Sequence, residues 1–269
     1  MQESIFSPAY WKAACKELKS LKRLIFAALI CALSVVVGAL YVTVGENLRV
    51  YFTFFITAVG CAVYGPVLGV LVAAVTDTLN FFLFPSGPYF PGYMLSEMVG
   101  ALIYSAFLYR RKITVLRLFG SKFLVNFLVN VLMGSLWSQI LFGKGYLFYL
   151  LKSLVKNSLL LPLEVMALAA LFSLLIPVFS RMNLLPGHAP KELQRLSFGA
   201  SAFPVFGLTS LLGGGCSLYY STTLKSSILV FQILGFVLLA AVTAQYYLLL
   251  LTGLFYNRRQ ERLIQPGKS

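Results

Sequence analysis

Residues Tyr64–Tyr93 read YGPVLGVLVAAVTDTLNFFLFPSGPYFPGY. The Gly-Pro pair near its start predicts a sharp stop between two apolar runs. The run that follows, Pro66–Phe84, is about twenty residues long, which is the length a helix needs to cross the hydrocarbon core of a bilayer. The stretch ends in a loop, Phe84–Tyr93, with three prolines, two glycines and four aromatic residues. This order predicts a membrane-spanning helix that leads into a loop of fixed shape.

The whole chain has the composition of a multi-spanning membrane protein. It contains 269 residues, of which 59% are hydrophobic and only 11% are charged, whereas about a quarter of the residues are charged in a soluble domain. Apolar runs of helical length recur without the alternation of barrel strands. The sequence therefore predicts an all-α, polytopic helix bundle with eight spans, at approximately Leu24–Val44, Val50–Tyr64, Pro66–Phe84, Met94–Tyr109, Phe123–Phe142, Leu150–Ser180, Phe198–Tyr220 and Ser226–Tyr256.

The 22 lysine and arginine residues are distributed unevenly between the two sides of this bundle. When the spans alternate from a cytoplasmic N-terminus, most basic residues fall on the cytoplasmic side, in agreement with the positive-inside rule. We therefore expect both termini to be cytoplasmic. The net charge of +14 is then a consequence of topology and gives no support for nucleic-acid binding.

Several catalytic and metal-binding motifs are absent from the sequence. It contains no GxxxxGK[ST], HExxH or GxSxG motif and no paired CxxC. The predicted spans contain no histidine that could act as the base for a nucleophile. We predict that the chain is not an enzyme, binds no metal or cofactor, and does not itself hydrolyse ATP.

Polar residues within the predicted spans indicate a binding site, because such residues are costly in lipid unless they face a cavity or a partner. Asp77 and Asn80 are three positions apart on one helix and therefore share a face shortly before the loop. Other polar, basic and aromatic groups are predicted in the outer half of the membrane or at its surface. The predicted pocket residues are Arg49, Asp77, Asn80, Pro85, Tyr89, Phe90, Tyr93, Trp137, Lys152, Lys156 and Asn157.

A flat heteroaromatic ligand with an anionic tail would suit this pocket. The Asp77 carboxylate can accept two parallel N–H bonds from an amino-heterocycle, and aromatic rings such as Trp137 can stack on its faces. Arg49, Lys152 and Lys156 can pair with carboxylates of the ligand. Two alternatives remain open at this point. The polar residues can instead join helices or reach the membrane surface, and the loop can be an interfacial aromatic belt.

The first predicted helix carries two small residues, Ala28 and Ala32, four positions apart. Small residues at this spacing permit close approach of another helix. That helix belongs either to the same chain or to a separate protein.

The stretch Asn47–Lys112 resembles the folate-family substrate-binding (S) component of energy-coupling factor (ECF) transporters. The resemblance is carried by Asn47-Leu48-Arg49, Tyr64-Gly65-Pro66, Asp77, the proline–glycine–aromatic loop and Gly100–Tyr104. Asn130–Trp137 and Lys152–Pro162 are similar to the fifth and sixth helices of that family. The likeness covers roughly Leu24–Arg181 and departs from the family pattern at Lys152, where an arginine is expected.

The resemblance implies a six-helix core that binds one vitamin from outside a prokaryotic cell. It further implies docking of the first helix, through Ala28 and Ala32, onto a transmembrane coupling protein that works with two cytoplasmic ATPases. We expect a basic cytoplasmic N-terminal segment at 1–23, the six-helix core at 24–181, a linker and two additional transmembrane helices at 182–256, and a basic cytoplasmic tail at 257–269.

The function predicted on this basis is high-affinity binding of folate or a reduced folate for uptake, with energy supplied by ATPases in trans. One alternative is an S component for another vitamin or heterocycle. The other is a membrane enzyme or structural subunit that has kept the bundle without transport.

Overall fold

A computed structural model describes residues 7–45, 48–84, 89–111, 113–143 and 145–185. It confirms the predicted helical membrane bundle. The two additional C-terminal helices and the basic tail predicted beyond position 185 lie outside the described residues. The elements in chain order are α1 (Pro8–Glu17), α2 (Leu21–Gly38), β1 (Tyr41–Gly45), β2 (Leu48–Tyr51), α3 (Thr53–Leu83), α4 (Pro91–Leu108), α5 (Val115–Leu124), a π-helix (Val125–Met133), α6 (Gly134–Phe142) and α7 (Tyr146–Arg181).

Within the described residues, four helical segments are long and apolar enough to cross a membrane. They are Leu21–Gly38, Thr53–Leu83, Val115–Phe142 and Glu164–Arg181. The segment Thr53–Leu83 covers most of the second and third predicted spans, but it begins three residues after the predicted start at Val50, which lies in β2. One side of its second half carries exposed apolar side chains at helical spacing, which is the pattern of a lipid-facing surface; they are Leu71, Val75, Leu79 and Phe82.

The predicted stop between the second and third spans is a break inside α3. Gly65 has φ 77° and ψ −171°, outside the helical region, and Pro66 follows it. A Cβ atom at Gly65 would lie 2.9 Å from the ring of Tyr109 at the end of α4. Glycine is needed here for two reasons, because the backbone is in a region that L side chains rarely adopt and because the neighbouring ring leaves no space.

The first span is shorter than the sequence predicted. The helix α2 ends at Gly38, and the chain then forms an antiparallel hairpin in which Tyr41 pairs with Tyr51 and Thr43 with Arg49. The Tyr-Val-Thr-Val run of β1 is apolar enough to resemble the end of a span. It is also rich in β-branched and aromatic residues, which favour strands.

The fifth span also differs from its predicted bounds, because it begins at Val115 rather than Phe123. Thr114 caps α5, and its Oγ1 accepts a hydrogen bond from the backbone N–H of Arg117 at 3.3 Å. The helix continues through the π-helix into α6. The sixth predicted span, Leu150–Ser180, lies within α7.

Small residues allow the first four spans to pack closely. The helix α3 packs against α2 on one side and α4 on the other. At this junction Ala58, Cys61, Ala62 and Ala101 are fully buried. Close backbone approach of this kind provides the van der Waals contact that holds helices together in lipid.

The helix α1 was not predicted, since its residues fall within the basic N-terminal segment. Ser7 caps it, and its Oγ accepts a hydrogen bond from the N–H of Ala9. The Tyr10 hydroxyl donates to the backbone oxygen of Ser105 at 3.1 Å, and the Tyr109 hydroxyl donates to Glu17 Oε1 at 3.0 Å. The Tyr10 hydroxyl is protonated at neutral pH, as in any tyrosine, and burial raises its pKa further, to about 12.

The break at Gly65 provides a test of helix packing. We expect Gly65→Ala to lower the free energy of unfolding by at least about 2 kcal/mol, because the substitution combines an unfavourable φ with a clash against Tyr109. The measurement is thermal unfolding of the purified chain in detergent. Gly143→Ala is the matched control, because Gly143 has φ 71° with no atom near its Cβ position. Equal losses in the two variants would show that the Tyr109 contact contributes nothing.

Candidate ligand-binding site

Asp77 and Asn80 lie in the second half of α3, on the sides that contact the neighbouring helices. The Asn80 side chain packs against α2, where its Oδ1 lies 2.9 Å from the position that a Cβ of Gly38 would occupy. Asn80 Oδ1 is buried and accepts no hydrogen bond from the part of the chain that the structure describes. An acceptor without a partner is costly in a membrane interior. Asp77 is half-buried and close enough to Glu97 of α4 for their charges to interact.

Glu97 is an exposed carboxylate of α4 that interacts with charged groups of two other helices. Its partners in these electrostatic interactions are Asp77 of α3 and Lys122 of α5. Charged groups placed together between membrane helices in this way indicate a candidate binding region. The sequence placed Glu97 at the start of the fourth helix but did not include it among the pocket residues. The number of residues between Asp77 and Glu97 in the sequence does not indicate that their side chains interact in the fold.

The proline–glycine–aromatic loop is joined to α6 by a cluster of aromatic rings. The ring centroids of Phe90 and Trp137 are 5.4 Å apart, and those of Phe90 and Tyr93 are 5.9 Å apart. Trp137 Nε1 donates a hydrogen bond to Ser96 Oγ at 2.9 Å. A Cβ at Gly92 would lie 2.2 Å from the Phe90 ring, so a glycine is required for the rings to meet. The structure therefore brings together three of the predicted pocket residues.

Tyr89 forms a second aromatic contact of the loop, with the end of α3. Its ring lies 5.0 Å from that of Phe81 at the end of α3, measured between centroids. Its hydroxyl is 3.8 Å from Met94 Sδ. Pro85, the remaining predicted residue of the loop, lies outside the described residues. For Arg49 the structure describes the backbone on β2 and not the side chain.

Asn157 is part of a ladder of hydrogen bonds between the π-helix and α7. Asn130 Nδ2 donates to Asn126 Oδ1 at 3.1 Å and to Asn157 Oδ1 at 3.3 Å. Asn157 Nδ2 in turn donates to the backbone oxygen of Ser153 at 2.8 Å, and Ser153 Oγ donates to the backbone oxygen of Asn130 at 3.0 Å. Asn157 is only 2% exposed. This arrangement favours the interhelical alternative for Asn157, whose role in ligand binding stays a prediction.

The π-helix sets the spacing of this ladder. Its turns are wider than those of an α-helix, so side chains four and five positions apart lie on one face. Asn126 and Asn130 are four positions apart on this element. Segments of π-helix occur frequently at functional sites, and here the segment directs both amides towards α7.

Lys122 and Glu164 form a buried ion pair next to the ladder. Lys122 Nζ lies 3.2 Å from Glu164 Oε1, and Lys122 is 2% exposed. The Lys122 ammonium also lies 3.6 Å from the centre of the Phe54 ring, and Asn126 Nδ2 donates to Glu164 Oε2 at 2.7 Å. The sequence assigned Lys122 to a cytoplasmic loop, because it follows a run of basic residues. One feature of the sequence could have indicated that Lys122 is buried. It precedes Asn126 by four residues and so lies on the helix face that carries the ladder.

Lys152 and Lys156 lie one turn apart on α7, and both are half-buried. Lys156 interacts electrostatically with Glu164 and Lys122. The Lys156 side chain is therefore directed into the bundle rather than outward to lipid. From this position the Lys156 ammonium can pair with an anionic group of a bound ligand.

Ala28 and Ala32 lie on the exposed side of α2. The opposite side carries Ala27, Ile30 and Ser34, which are buried against the bundle. Exposed apolar residues flank the two alanines on α2 and include Ile25, Leu29, Leu33 and Val36. Within the described residues, no other helix of this chain covers the small-residue pattern.

These features describe a membrane-embedded helix bundle with charged and polar groups between its helices, and the comparisons with known proteins identify its class. Residues 22–187 match the family described as ECF transporter, substrate-specific component. The chain belongs to this family. It is therefore a transporter component that binds substrate in the membrane and not an enzyme.

Similar proteins within this class are folate transporters. The chain is 33% identical over 147 residues to the folate transporter FolT of Clostridium novyi (strain NT), which covers 55% of this chain and 86% of the relative. It is 28% identical over 151 residues to FolT of Leuconostoc mesenteroides, which covers 54% of this chain and 80% of the relative. A crystal structure of FolT bound with folic acid matches with TM-score 0.51 and 26% identity, covering 55% of this chain and 89% of that chain.

The buried ion pair predicts that the free energy of unfolding falls strongly when only one of its two charges is removed. Glu164→Gln keeps an oxygen that can accept from Asn126 but leaves the Lys122 charge uncompensated. We expect a loss of about 3 kcal/mol in the free energy of unfolding, measured by thermal denaturation in detergent. The matched variant Lys122→Met/Glu164→Leu removes both charges and should recover most of this loss. An unchanged stability in Glu164→Gln alone would contradict the burial of the pair.

Proposed function

We propose that this chain is the high-affinity folate-binding subunit of an ECF-type vitamin uptake transporter. Two groups of residues support it most strongly: a pair of interacting carboxylates and an aromatic cluster. Asp77 of α3 and Glu97 of α4 interact electrostatically, and Phe90, Tyr93 and Trp137 connect the loop to α6. The similarity to FolT, including the structure with folic acid, supports the same ligand.

The proposed ligand matches the chemistry of the site. A pterin carries adjacent N–H donors and a flat π-face, so it can donate to the Asp77 carboxylate and lie against the Trp137 ring. Asn80 adds an unsatisfied acceptor on the same helix. Glu97 was not predicted to bind ligand, but its exposed carboxylate interacts with Asp77 and can accept a further donor from the same ligand.

Basic residues complete the proposed site. The glutamate tail of folate carries carboxylates, and Lys152 and Lys156 of α7 offer ammonium groups to pair with them. Arg49 on β2 is proposed as a further cation at the mouth. A lysine at position 152 forms a single point contact where an arginine would form two parallel bonds. This difference favours a site that tolerates variation in the glutamate tail.

Energy for uptake must come from partner proteins. The sequence has no phosphate-binding loop, and the family is defined by its substrate-specific role. We propose that a transmembrane coupling protein contacts the exposed face of α2 and that two cytoplasmic ATPases act through it. Both termini of the chain are proposed to be cytoplasmic, in accordance with the distribution of basic residues.

Folate titration of the purified chain tests the ligand directly. The protein has two tryptophans, so Trp11→Phe leaves Trp137 as the single reporter next to the site. We expect saturable, one-to-one quenching by folate, and no saturable response from Trp137→Phe, which retains only Trp11. Thiamine and riboflavin serve as ligand controls. Saturation by one of these vitamins in place of folate would support the alternative of an S component for another vitamin.

Asp77→Asn should weaken folate binding about tenfold or more, because it replaces a charge-assisted pair of hydrogen bonds with a single neutral acceptor. The measurement is the dissociation constant from Trp137 quenching, together with thermal stability of the same preparation. Thr78→Ala is the matched control, since the Thr78 hydroxyl bonds to the backbone of its own helix at Ala74. Unchanged affinity in Asp77→Asn would remove Asp77 from the site.

Ala28→Trp/Ala32→Trp should abolish folate uptake in reconstituted or cellular assays while the dissociation constant for folate stays unchanged. The bulky rings would prevent close approach of the coupling protein to α2. Ala170→Trp, at an exposed position of α7, is the control and should leave uptake intact. If the α2 double variant still transports folate, the docking face lies elsewhere.

A further inference from the structure

The helix α1 lies outside the family match, which begins at residue 22. It is nevertheless fixed to the bundle. Tyr10 bonds to Ser105, and Glu17 receives both a hydrogen bond from Tyr109 and an ion pair from Arg23, with its Oε2 3.1 Å from Arg23 Nε. These contacts place α1 at the end of the bundle where α4 ends and α2 begins.

This end of the bundle is strongly basic. Lys22 and Arg181 are exposed there, and Arg110 and Arg111 follow α4 directly. The positive-inside rule assigns such an end to the cytoplasmic surface of the membrane. At that surface α1 lies beside the ends of membrane-spanning helices, so its outer sides face the headgroup region.

The residues of α1 form three distinct faces. Tyr10 and Ala14, one turn apart, are buried against the bundle. Next to them around the helix, Trp11 is 42% exposed and Cys15 is also exposed. The third face carries three exposed lysines, Lys12, Lys16 and Lys19, the last of which lies just past the helix end.

No free carboxylate on α1 balances the charge of the three lysines on its outer side. Glu17 is the one carboxylate between residues 7 and 45, and both of its oxygens are occupied by Tyr109 and Arg23. Its charge is thus directed towards the bundle. An aromatic residue beside a row of lysines is the pattern of a helix that lies in the membrane interface.

We propose that α1 is an interfacial helix that binds anionic phospholipid headgroups through Lys12, Lys16 and Lys19. Trp11 lies at the boundary between headgroups and acyl chains. Charge complementarity identifies the occupant, because the cytoplasmic leaflet carries anionic lipids and basic segments next to a membrane attract them. Bound lipid would hold α1 against Ser105 and Tyr109 at the inner end of α4.

The test measures which lipid surrounds Trp11. The full chain carrying Trp137→Phe, in which Trp11 is the single tryptophan, is reconstituted in nanodiscs of equal parts phosphatidylglycerol and phosphatidylcholine. In one preparation the phosphatidylglycerol has brominated acyl chains, and in the other the phosphatidylcholine does. Both membranes have the same charge, so a difference in quenching reports the local lipid composition.

Each lysine near an anionic surface favours binding by about fivefold. We therefore expect brominated phosphatidylglycerol to quench Trp11 at least about twice as strongly as brominated phosphatidylcholine. The ratio should fall clearly towards one in Lys12→Gln/Lys16→Gln/Lys19→Gln and be retained in the matched triple arginine variant. Equal quenching by the two lipids in the unsubstituted helix, an unchanged ratio in the glutamine variant, or no quenching by either lipid would overturn the proposal.

Discussion

The ion pair between Lys122 and Glu164 is the interaction on which the arrangement of the last described spans depends. Neither charge is tolerated alone in a membrane interior, so α5 and α7 must meet where these two residues face each other. Apolar contacts alone discriminate weakly between alternative alignments, because lipid is as apolar as the side chains. The ion pair and the adjoining asparagine ladder therefore determine the register of α7 against the π-helix.

The bundle is stabilised differently in its two halves, and the candidate site lies between them. The helices α2, α3 and α4 approach closely over small, fully buried residues such as Ala58 and Ala62. The π-helix and α7 also pack through buried apolar side chains, such as Val129 and Val165, and polar bonds join them in addition. Glu97, on α4, interacts with Asp77 on its own side and with Lys122 on the other. In the proposed site, a ligand bound beside Glu97 would contact both halves of the bundle.

Much of the fold was predictable because membrane length and glycine–proline chemistry leave clear patterns. The stop at Gly65 and the proximity of the loop to the fifth span could be anticipated on that basis. The hairpin after α2 could not, since an apolar β-branched run resembles the end of a span. Lys122 was assigned to a loop because a charge count does not show which lysine turns inward. For the pocket, Phe90, Tyr93 and Trp137 do come together, whereas the contact of Glu97 with Asp77 arises only from tertiary packing.

The ring of Tyr109 occupies the space that Gly65 leaves free, and its hydroxyl is bonded to Glu17 of α1. One side chain thus couples a helix outside the family match to the break between the second and third spans. The end of α4 in the family segment is therefore bonded to a residue that lies outside that segment. A shortened form designed from the family boundaries would lose the acceptor for Tyr109 and the ring of Tyr10 packed beside it. The appropriate unit for expression and for comparison with relatives therefore includes α1.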